Sequence, residues 1–257
     1  MGVKRDLYYA KWLCRKRSIE GYSKIYFETN EELDKLFEKV DFTDKSVLSV
    51  LSSSDQLFKL KSHNIKNIDT FDKNKLTYYY FYIRMWTIKY MKELYPTALI
   101  YNDYDWIQLL LLSVKPETIE EKDALFFWQS LLNKKVNFSR MFIVDPEKGL
   151  DFSRDIEMNN LPSTINYSKL NLFKKQKFEK LYDIAVISNI LEWSIGDSRF
   201  LEIISSNLTD LLKENGIVLC SKVTYNNNIN GVNIKSALSD NFELCDNDNL
   251  GYVYIKR

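Results

Sequence analysis

Short apolar runs alternate with longer amphipathic stretches in the first half of the chain. Ser46–Leu51 is apolar and partly β-branched and ends in a serine-rich turn, which predicts a buried strand. A helix over about 56–62, a second strand over 67–72 and a long aromatic helix from 73 to about 94 follow, before Pro96. This strand–helix–strand–helix order is typical of a parallel sheet covered by helices.

The same alternation returns in the second half of the chain. Strands are predicted over 163–167, 182–189, 216–223, 241–246 and 251–256, with a helix over about 197–213. The last two strands flank a turn rich in Asp and Asn, so they are expected to form a hairpin. The pattern predicts one three-layer α/β domain with a mostly parallel, seven-stranded sheet whose last strand is antiparallel.

Two regions lie outside this alternation. Residues 1–45 are expected to form an N-terminal helical cover, and residues 46–257 the α/β domain, with a helical insertion at about 97–160 that shows no convincing strand. Within the cover, Thr29–Glu32 is expected to be the capping box of a helix over about 30–40. Within the insertion, Pro116 with Thr118 and Glu121 is expected to mark the start of a helix.

The first 28 residues carry seven basic and three acidic side chains. A helix with one solvated face explains this charge, and a lid that meets an anionic substrate or a lipid headgroup is the other interpretation.

The long aromatic helix is expected to pack one stripe of side chains into the core. That stripe comprises Leu76, Tyr80, Ile83, Trp86 or Thr87, and Tyr90.

Composition excludes several classes of chemistry. The 257 residues carry a net charge of +1, and their seven glycines are too dispersed for a P-loop or a dinucleotide-binding turn. With one histidine (His63) and three separated cysteines, the chain has no pattern for a zinc site or a disulfide framework. The apolar stretch 106–114 is about half a membrane span, and the first residues resemble no signal peptide, so we expect a cytoplasmic protein.

Two acidic residues are candidates for ligand binding, because each follows a strand of the predicted sheet. Ligands of open parallel sheets bind outside the carboxyl ends of the strands, where an acidic side chain accepts hydrogen bonds from a ribose. Asp72 comes 20 residues after Ser52, which is the expected spacing. Without a glycine-rich loop, a nucleoside with a positive or zwitterionic group, such as S-adenosylmethionine, suits the site better than a pyrophosphate. The alternative is that Asp55 and Asp72 only cap the helices that follow them.

The segments Val47–Gln56 and Ile68–Asn74 resemble the first two motifs of the class I S-adenosylmethionine-dependent methyltransferase superfamily. More narrowly, they resemble the betaine-lipid-synthase branch, which has an S-G-D-Q-like turn where this chain has Ser53–Gln56. Ser54 therefore stands where that branch has glycine. The resemblance implies S-adenosylmethionine as cofactor, with Ser53, Ser54 and Asp55 at its amino-acid end and Asp72 on its ribose.

The resemblance extends weakly to the predicted strand at 182–189. Betaine-lipid synthases carry a D-H-x-D-W-like stretch there, and this chain has Asn189–Trp193, which lacks the histidine. The resemblance implies that Ser188 and Asn189 contact the cofactor and that Glu192 deprotonates or positions an incoming amine, unless Glu192 is only a surface residue. The Asn/Asp-Pro-Pro-aromatic turn of base methyltransferases is absent, which argues against a nucleic-acid substrate.

The sequence leaves three functions open. The first is methyl transfer from S-adenosylmethionine to a small molecule, favoured by its frequency in the superfamily. The second is transfer of the 3-amino-3-carboxypropyl group, as in the betaine-lipid-synthase branch, to a small-molecule or lipid-headgroup acceptor. The third is a non-catalytic interaction protein that keeps the fold. The sequence identifies neither the acceptor nor the oligomeric state.

Overall fold

The computed structural model describes most of the chain and divides into two compact units. The described residues are 2–15, 23–27, 29, 31–91, 97–144, 165–191, 197–222, 228–229, 232–233, 238 and 241–257. The first unit comprises residues 1–29, 51–58 and 72–165, and the second comprises residues 30–50, 59–71 and 166–257.

The strands and helices agree closely with the predicted order. The described strands are β1 (Ile25–Tyr26), β2 (Ser46–Val50), β3 (Asn67–Asp72), β4 (Phe142–Ile143), β5 (Asn166–Lys169), β6 (Tyr182–Val186), β7 (Leu212–Ser221), β8 (Asn228–Ile229), β9 (Val232–Asn233), β10 (Phe242–Asn247) and β11 (Gly251–Lys256). The described helices are α1 (Val3–Leu13), α2 (Leu33–Phe37), α3 (Asp55–Leu60), α4 (Leu76–Tyr90), α5 (Thr97–Tyr101), α6 (Tyr104–Ser113), α7 (Ile119–Leu132) and α8 (Ser198–Leu211), with a 3-10 helix at Phe138–Met141.

A seven-stranded sheet is the centre of the second unit. Its strand order is β10-β11-β7-β6-β2-β3-β5. β2 runs parallel to β3 and β6, β6 runs parallel to β7, and β11 runs antiparallel to β7 and β10. The prediction of a mostly parallel seven-stranded sheet with an antiparallel last strand is therefore confirmed.

The two faces of this sheet bury separate apolar cores, because successive side chains of a strand point to opposite faces. On one face, Leu33, Leu36 and Phe37 of α2 pack with Val47, Ile184, Val186, Leu219 and Val253. On the other face, Leu201, Ile204, Leu208 and Leu211 of α8 pack with Leu48, Val50, Ala185, Val218, Cys220, Tyr252 and Tyr254. Helix, sheet and helix thus form the three layers that the alternating pattern predicted.

The order of the strands reverses beside β2. After β2 the chain adds β3 and β5 on one side, and it then adds β6 and β7 on the other side. Such a reversal is a topological switch point, and ligands of open α/β sheets bind outside the carboxyl ends of the strands at this point. The residues that directly follow β2 and β3 are therefore the first place to look for a ligand site.

Helices dominate the first unit, and α4 is buried on every side. The predicted core packing of the stripe is confirmed except at Tyr90, which is only half-buried, but burial is not limited to the stripe, because all twelve residues from Leu76 to Thr87 are buried. The reason is that α4 contacts both α6 and α7 as well as β1. For example, Phe127 stacks on Tyr79 with ring centroids 3.9 Å apart, and Trp128 Nε1 donates to the Tyr79 carbonyl at 2.8 Å.

The first helix is only partly solvated. Asp6, Leu7, Ala10 and Leu13 of α1 are buried, and the Tyr79 hydroxyl donates to Asp6 at 2.6 Å. Part of the basic segment, residues 16–22, lies outside the described residues. The interpretation of this segment as a lid stays a prediction.

The predicted helix start near Pro116 is confirmed, whereas the predicted capping box at Thr29–Glu32 is wrong. At the start of α7, the Thr118 side chain accepts from the Glu121 amide, and Glu121 accepts from the Thr118 amide. Glu32 makes no capping bond, because α2 begins at Leu33, three residues later than a cap at Thr29 requires.

The insertion also contains the strand β4, which pairs in parallel with β1 through Phe142 and Ile143.

We expect substitution of Gly251 by alanine to destabilise the sheet. A β-carbon at Gly251 would lie 2.1 Å from the Cys220 carbonyl oxygen and 2.7 Å from Leu36 Cδ1, so strand β11 would have to move away from β7. Chemical denaturation should show a loss of at least about 1–3 kcal/mol in the free energy of unfolding. Gly2→Ala is the control, because nothing lies within 4 Å of its added carbon. Equal stability of the two variants would contradict this reading.

Candidate functional site

The turn that follows β2 has an unusual backbone for its sequence. Ser52 and Ser54 both have positive φ, at 44° and 79°, and the Ser54 amide donates to the Leu51 carbonyl at 2.6 Å. Residues with a β-carbon rarely adopt this left-handed conformation, whereas glycine does so readily. Ser54 thus adopts a backbone conformation that glycine adopts more readily than serine.

Asp55 is the last residue of this turn, and its carboxylate contacts three neighbouring residues. Its Oδ1 forms an ion pair with Arg84 Nη2 at 2.7 Å, and its Oδ2 accepts from the Thr29 amide and the Ser53 hydroxyl, both at 2.7 Å. The Arg84 side chain is fully buried, so the pair is desolvated. Asp55 is also the first residue of α3. The predicted contact of Asp55 with a cofactor stays a prediction, and both of its oxygens already accept hydrogen bonds.

Asp72 joins the ends of the first two sheet strands. Its Oδ2 accepts from the Ser52 amide at 3.0 Å, and its Oδ1 accepts from the Asn74 amide at 2.8 Å. Burial raises the pKa of Asp72 to about 6, against the opposing effect of hydrogen bonds from the two amides. A buried carboxylate therefore lies at the turn after β2, in the place that the sequence spacing predicted.

The raised pKa of Asp72 makes stability depend on pH in a definite direction. The folded protein binds a proton at Asp72 more tightly than the unfolded chain between about pH 4 and pH 6. The contribution of protonated Asp72 is therefore fully present below this window and is lost as the pH rises through it. Between pH 4 and pH 7, the unfolding free energy of the wild type should fall by about 2–3 kcal/mol relative to Asp72→Asn, which cannot titrate. A difference that is flat or rises with pH would contradict this.

The serine side chains of the turn differ in their partners. The Ser53 hydroxyl donates to Asp55, whereas the Ser54 hydroxyl is buried and has no hydrogen-bond partner. Leaving a buried hydroxyl unpaired is unfavourable, so such a group needs an explanation. A polar ligand atom beside Ser54 would provide one.

Ser188 and Asn189 belong to the second unit and follow strand β6. Ser188 also has a positive φ, of 52°, and its hydroxyl donates to Glu31 Oε1. The Ser221 hydroxyl, at the end of β7, donates to the same Glu31 oxygen at 2.5 Å. Asn189 is half-buried, and Glu192 lies outside the described residues, so its predicted catalytic role stays a prediction.

Two charged residues of these clusters were missed by the sequence analysis. Arg84 lies within the aromatic stretch of α4, and a charged residue inside a helix that is expected to be buried indicates a buried partner. Glu31 was assigned to the region of a capping box, and no local signal connects it with Ser188, which is 157 residues away, or with Ser221. The described residues hold no group of three or more His, Cys, Asp or Glu side chains suited to a metal ion.

Comparison with known proteins finds similarity among solved structures. No protein-family model and no curated protein sequence matches the chain. Among solved structures, the chain is similar to TrmN from Thermus thermophilus, with a TM-score of 0.43 and 10% identity. The match covers 88% of this chain and 48% of TrmN, so the chain spans about half the length of that protein.

The sheet itself defines the fold. A mostly parallel seven-stranded sheet, helices on both faces and an antiparallel last strand form a Rossmann-like α/β fold of the methyltransferase type. Among the described residues, no helix combines the length and the apolar composition needed to cross a membrane.

Proposed function

We propose that this protein is an S-adenosylmethionine-dependent transferase. The observation that carries the proposal is the buried Asp72 carboxylate, hydrogen-bonded to the Ser52 amide in the turn that follows β2. This is the place where open α/β sheets bind the ribose of a nucleoside ligand. The unpartnered Ser54 hydroxyl in the same turn supports a ligand with polar groups at both positions.

The residues of the turn fit the cofactor in the following way. Asp72 would accept hydrogen bonds from the two ribose hydroxyls, because each carboxylate oxygen has more than one acceptor site. Ser53, Ser54 and Asp55 would bind the amino-acid end, with the unpartnered hydroxyl of Ser54 as the most available donor. When bound, S-adenosylmethionine would supply an electrophilic carbon attached to a sulfonium.

Such a reaction requires little acid–base catalysis from the protein. Transfer from a sulfonium depends mainly on holding the nucleophile in line with the reacting carbon, so the chain needs few titrating side chains at the site. Of the other candidate residues, Ser188 and Asn189 would bind the cofactor and Glu192 would deprotonate or position an acceptor amine. Methyl transfer and 3-amino-3-carboxypropyl transfer both satisfy this description, with a small molecule or a lipid headgroup as acceptor.

Calorimetry and mass spectrometry test the proposal in two steps. Titration with S-adenosylmethionine and S-adenosylhomocysteine should give micromolar binding. Incubation of the protein with S-adenosylmethionine and cell extract should then release S-adenosylhomocysteine if methyl is transferred, or methylthioadenosine if the aminocarboxypropyl group is transferred. Absence of binding for both ligands would overturn the proposal.

A non-catalytic interaction protein is the second candidate. This candidate is favoured because Asp55 already pairs with Arg84 and accepts hydrogen bonds from Thr29 and Ser53. The carboxylate of the turn therefore has partners within the protein and needs no ligand. A protein of this kind would bind neither ligand in the titration, whereas its stability would be that of an ordinary folded domain.

A further inference from the structure

We infer that Arg84 is a positioning residue that holds the turn Ser52–Asp55 in its ligand-binding conformation. The inference rests on the proposed function in so far as the bound ligand is S-adenosylmethionine. It assigns a role to a residue on α4 that no motif of the turn includes.

Arg84 holds the turn at two points. Nη2 pairs with Asp55 Oδ1 at 2.7 Å, and Nη1 donates to the Ser53 carbonyl oxygen. The guanidinium lies over the rings of Phe58 and Tyr80, at 5.3 Å and 5.7 Å from their centroids. The planar, two-pronged guanidinium is therefore fixed by aromatic faces while it binds one side chain and one backbone oxygen of the turn.

The turn needs such a restraint because of its sequence. Ser52 and Ser54 both adopt the left-handed conformation, which is unfavourable for residues with a β-carbon. Strained backbone of this kind persists only where surrounding contacts determine it. With serine in place of glycine at position 54, the turn would relax to other conformations unless the Ser53 carbonyl and Asp55 were held from outside.

A purely stabilising role explains the pair less well. Apolar residues of the same volume commonly stabilise a protein as much as a buried ion pair does. Unlike an apolar side chain, a guanidinium makes directional hydrogen bonds. Its two bonds fix the Ser53 carbonyl and the Asp55 carboxylate at the same time. Those two groups flank Ser54, whose buried hydroxyl has no protein partner.

A double-mutant cycle with Arg84→Lys and Ser54→Gly tests this inference. Lysine keeps the charge but cannot bind both groups in the same geometry. Glycine removes the backbone strain at position 54, so the turn should depend less on Arg84. The two readouts are S-adenosylhomocysteine affinity by calorimetry and amide hydrogen exchange at residue 54, whose N–H donates to Leu51.

We expect Arg84→Lys to weaken S-adenosylhomocysteine binding by about tenfold or more and to accelerate exchange at residue 54 by a similar factor. In the Ser54→Gly background, the same substitution should change both quantities by less than about threefold. Arg140→Lys is the control, because Arg140 also donates to a backbone carbonyl, that of Cys14, away from the turn. It should leave both readouts unchanged.

The inference is overturned if Arg84→Lys changes neither readout by more than about twofold, or if it changes them equally in both backgrounds. The hydrogen-exchange cycle does not depend on any ligand. If the wild type fails to bind S-adenosylhomocysteine, the proposed function falls, and the exchange cycle still decides whether Arg84 positions the turn.

Discussion

Asp72→Ala should weaken S-adenosylmethionine binding by roughly ten- to a few-hundred-fold in calorimetric titration. The substitution would remove two charge-assisted hydrogen bonds to the ribose, each of which contributes about 1.5–3 kcal/mol to the binding free energy. Water would compensate part of this loss. Asp72→Asn keeps the shape and part of the acceptor capacity without the charge, so its affinity should be intermediate.

The same substitution also acts on the fold, and the two effects must be measured separately. Without the carboxylate, the Ser52 and Asn74 amides lose an acceptor, so the thermal stability of Asp72→Ala should fall as well. Asp69→Asn is the matched control on the same strand, because Asp69 is equally buried and accepts from Asn166, Lys180 and Tyr182. Unchanged affinity in folded Asp72→Ala refutes the ribose role and leaves Asp72 as a link between two strand ends.

Arg84→Leu should lower the free energy of unfolding by about 3–5 kcal/mol. The substitution leaves Asp55 buried without its counter-ion, and an uncompensated buried charge is strongly unfavourable. Adding Asp55→Asn should recover part of the loss, because asparagine is uncharged and its side-chain oxygen can still accept from the Thr29 amide and the Ser53 hydroxyl. Denaturant unfolding of the two single variants and the double variant gives the coupling energy directly.

An exposed ion pair provides the comparison for this prediction. Arg199 pairs with Asp197 at 2.8 Å, but the Arg199 side chain is 82% exposed. Arg199→Leu should therefore change stability by no more than about 1 kcal/mol. If Arg84→Leu has an equally small effect, or if Asp55→Asn worsens it, the buried pair does not hold the turn.

Most of the sheet could be predicted from the sequence, because hydrophobic periodicity reports local burial. Strand β3 has the predicted bounds, and β2 ends one residue earlier than predicted. β6 is shorter than predicted, since the chain turns at Ser188 with positive φ. The parallel arrangement followed from the alternation of strands and helices, because parallel neighbours require a crossover.

The errors arose where long-range contacts override a local motif. Thr29–Glu32 has the spacing of a capping box, but the Thr29 amide binds Asp55 and the Glu31 carboxylate binds Ser188 and Ser221. In α4, a helical wheel gives a stripe only if one side of the helix faces water. The contacts of α4 with α6 and α7 bury the other side as well.

The sequence by itself determined the α/β class, the strand order along the chain and the place of Asp72. The class and the strand order follow from hydrophobic periodicity. The place of Asp72 follows from its 20-residue spacing from Ser52, because adjacent parallel strands bring the ends of β2 and β3 together, where the Ser52 amide donates to Asp72. Only the tertiary structure decided the partners of Asp55 and Glu31. Arg84 is far from Asp55 in the chain, and a buried charge takes whichever partner the packing brings within hydrogen-bond distance, which no local pattern encodes.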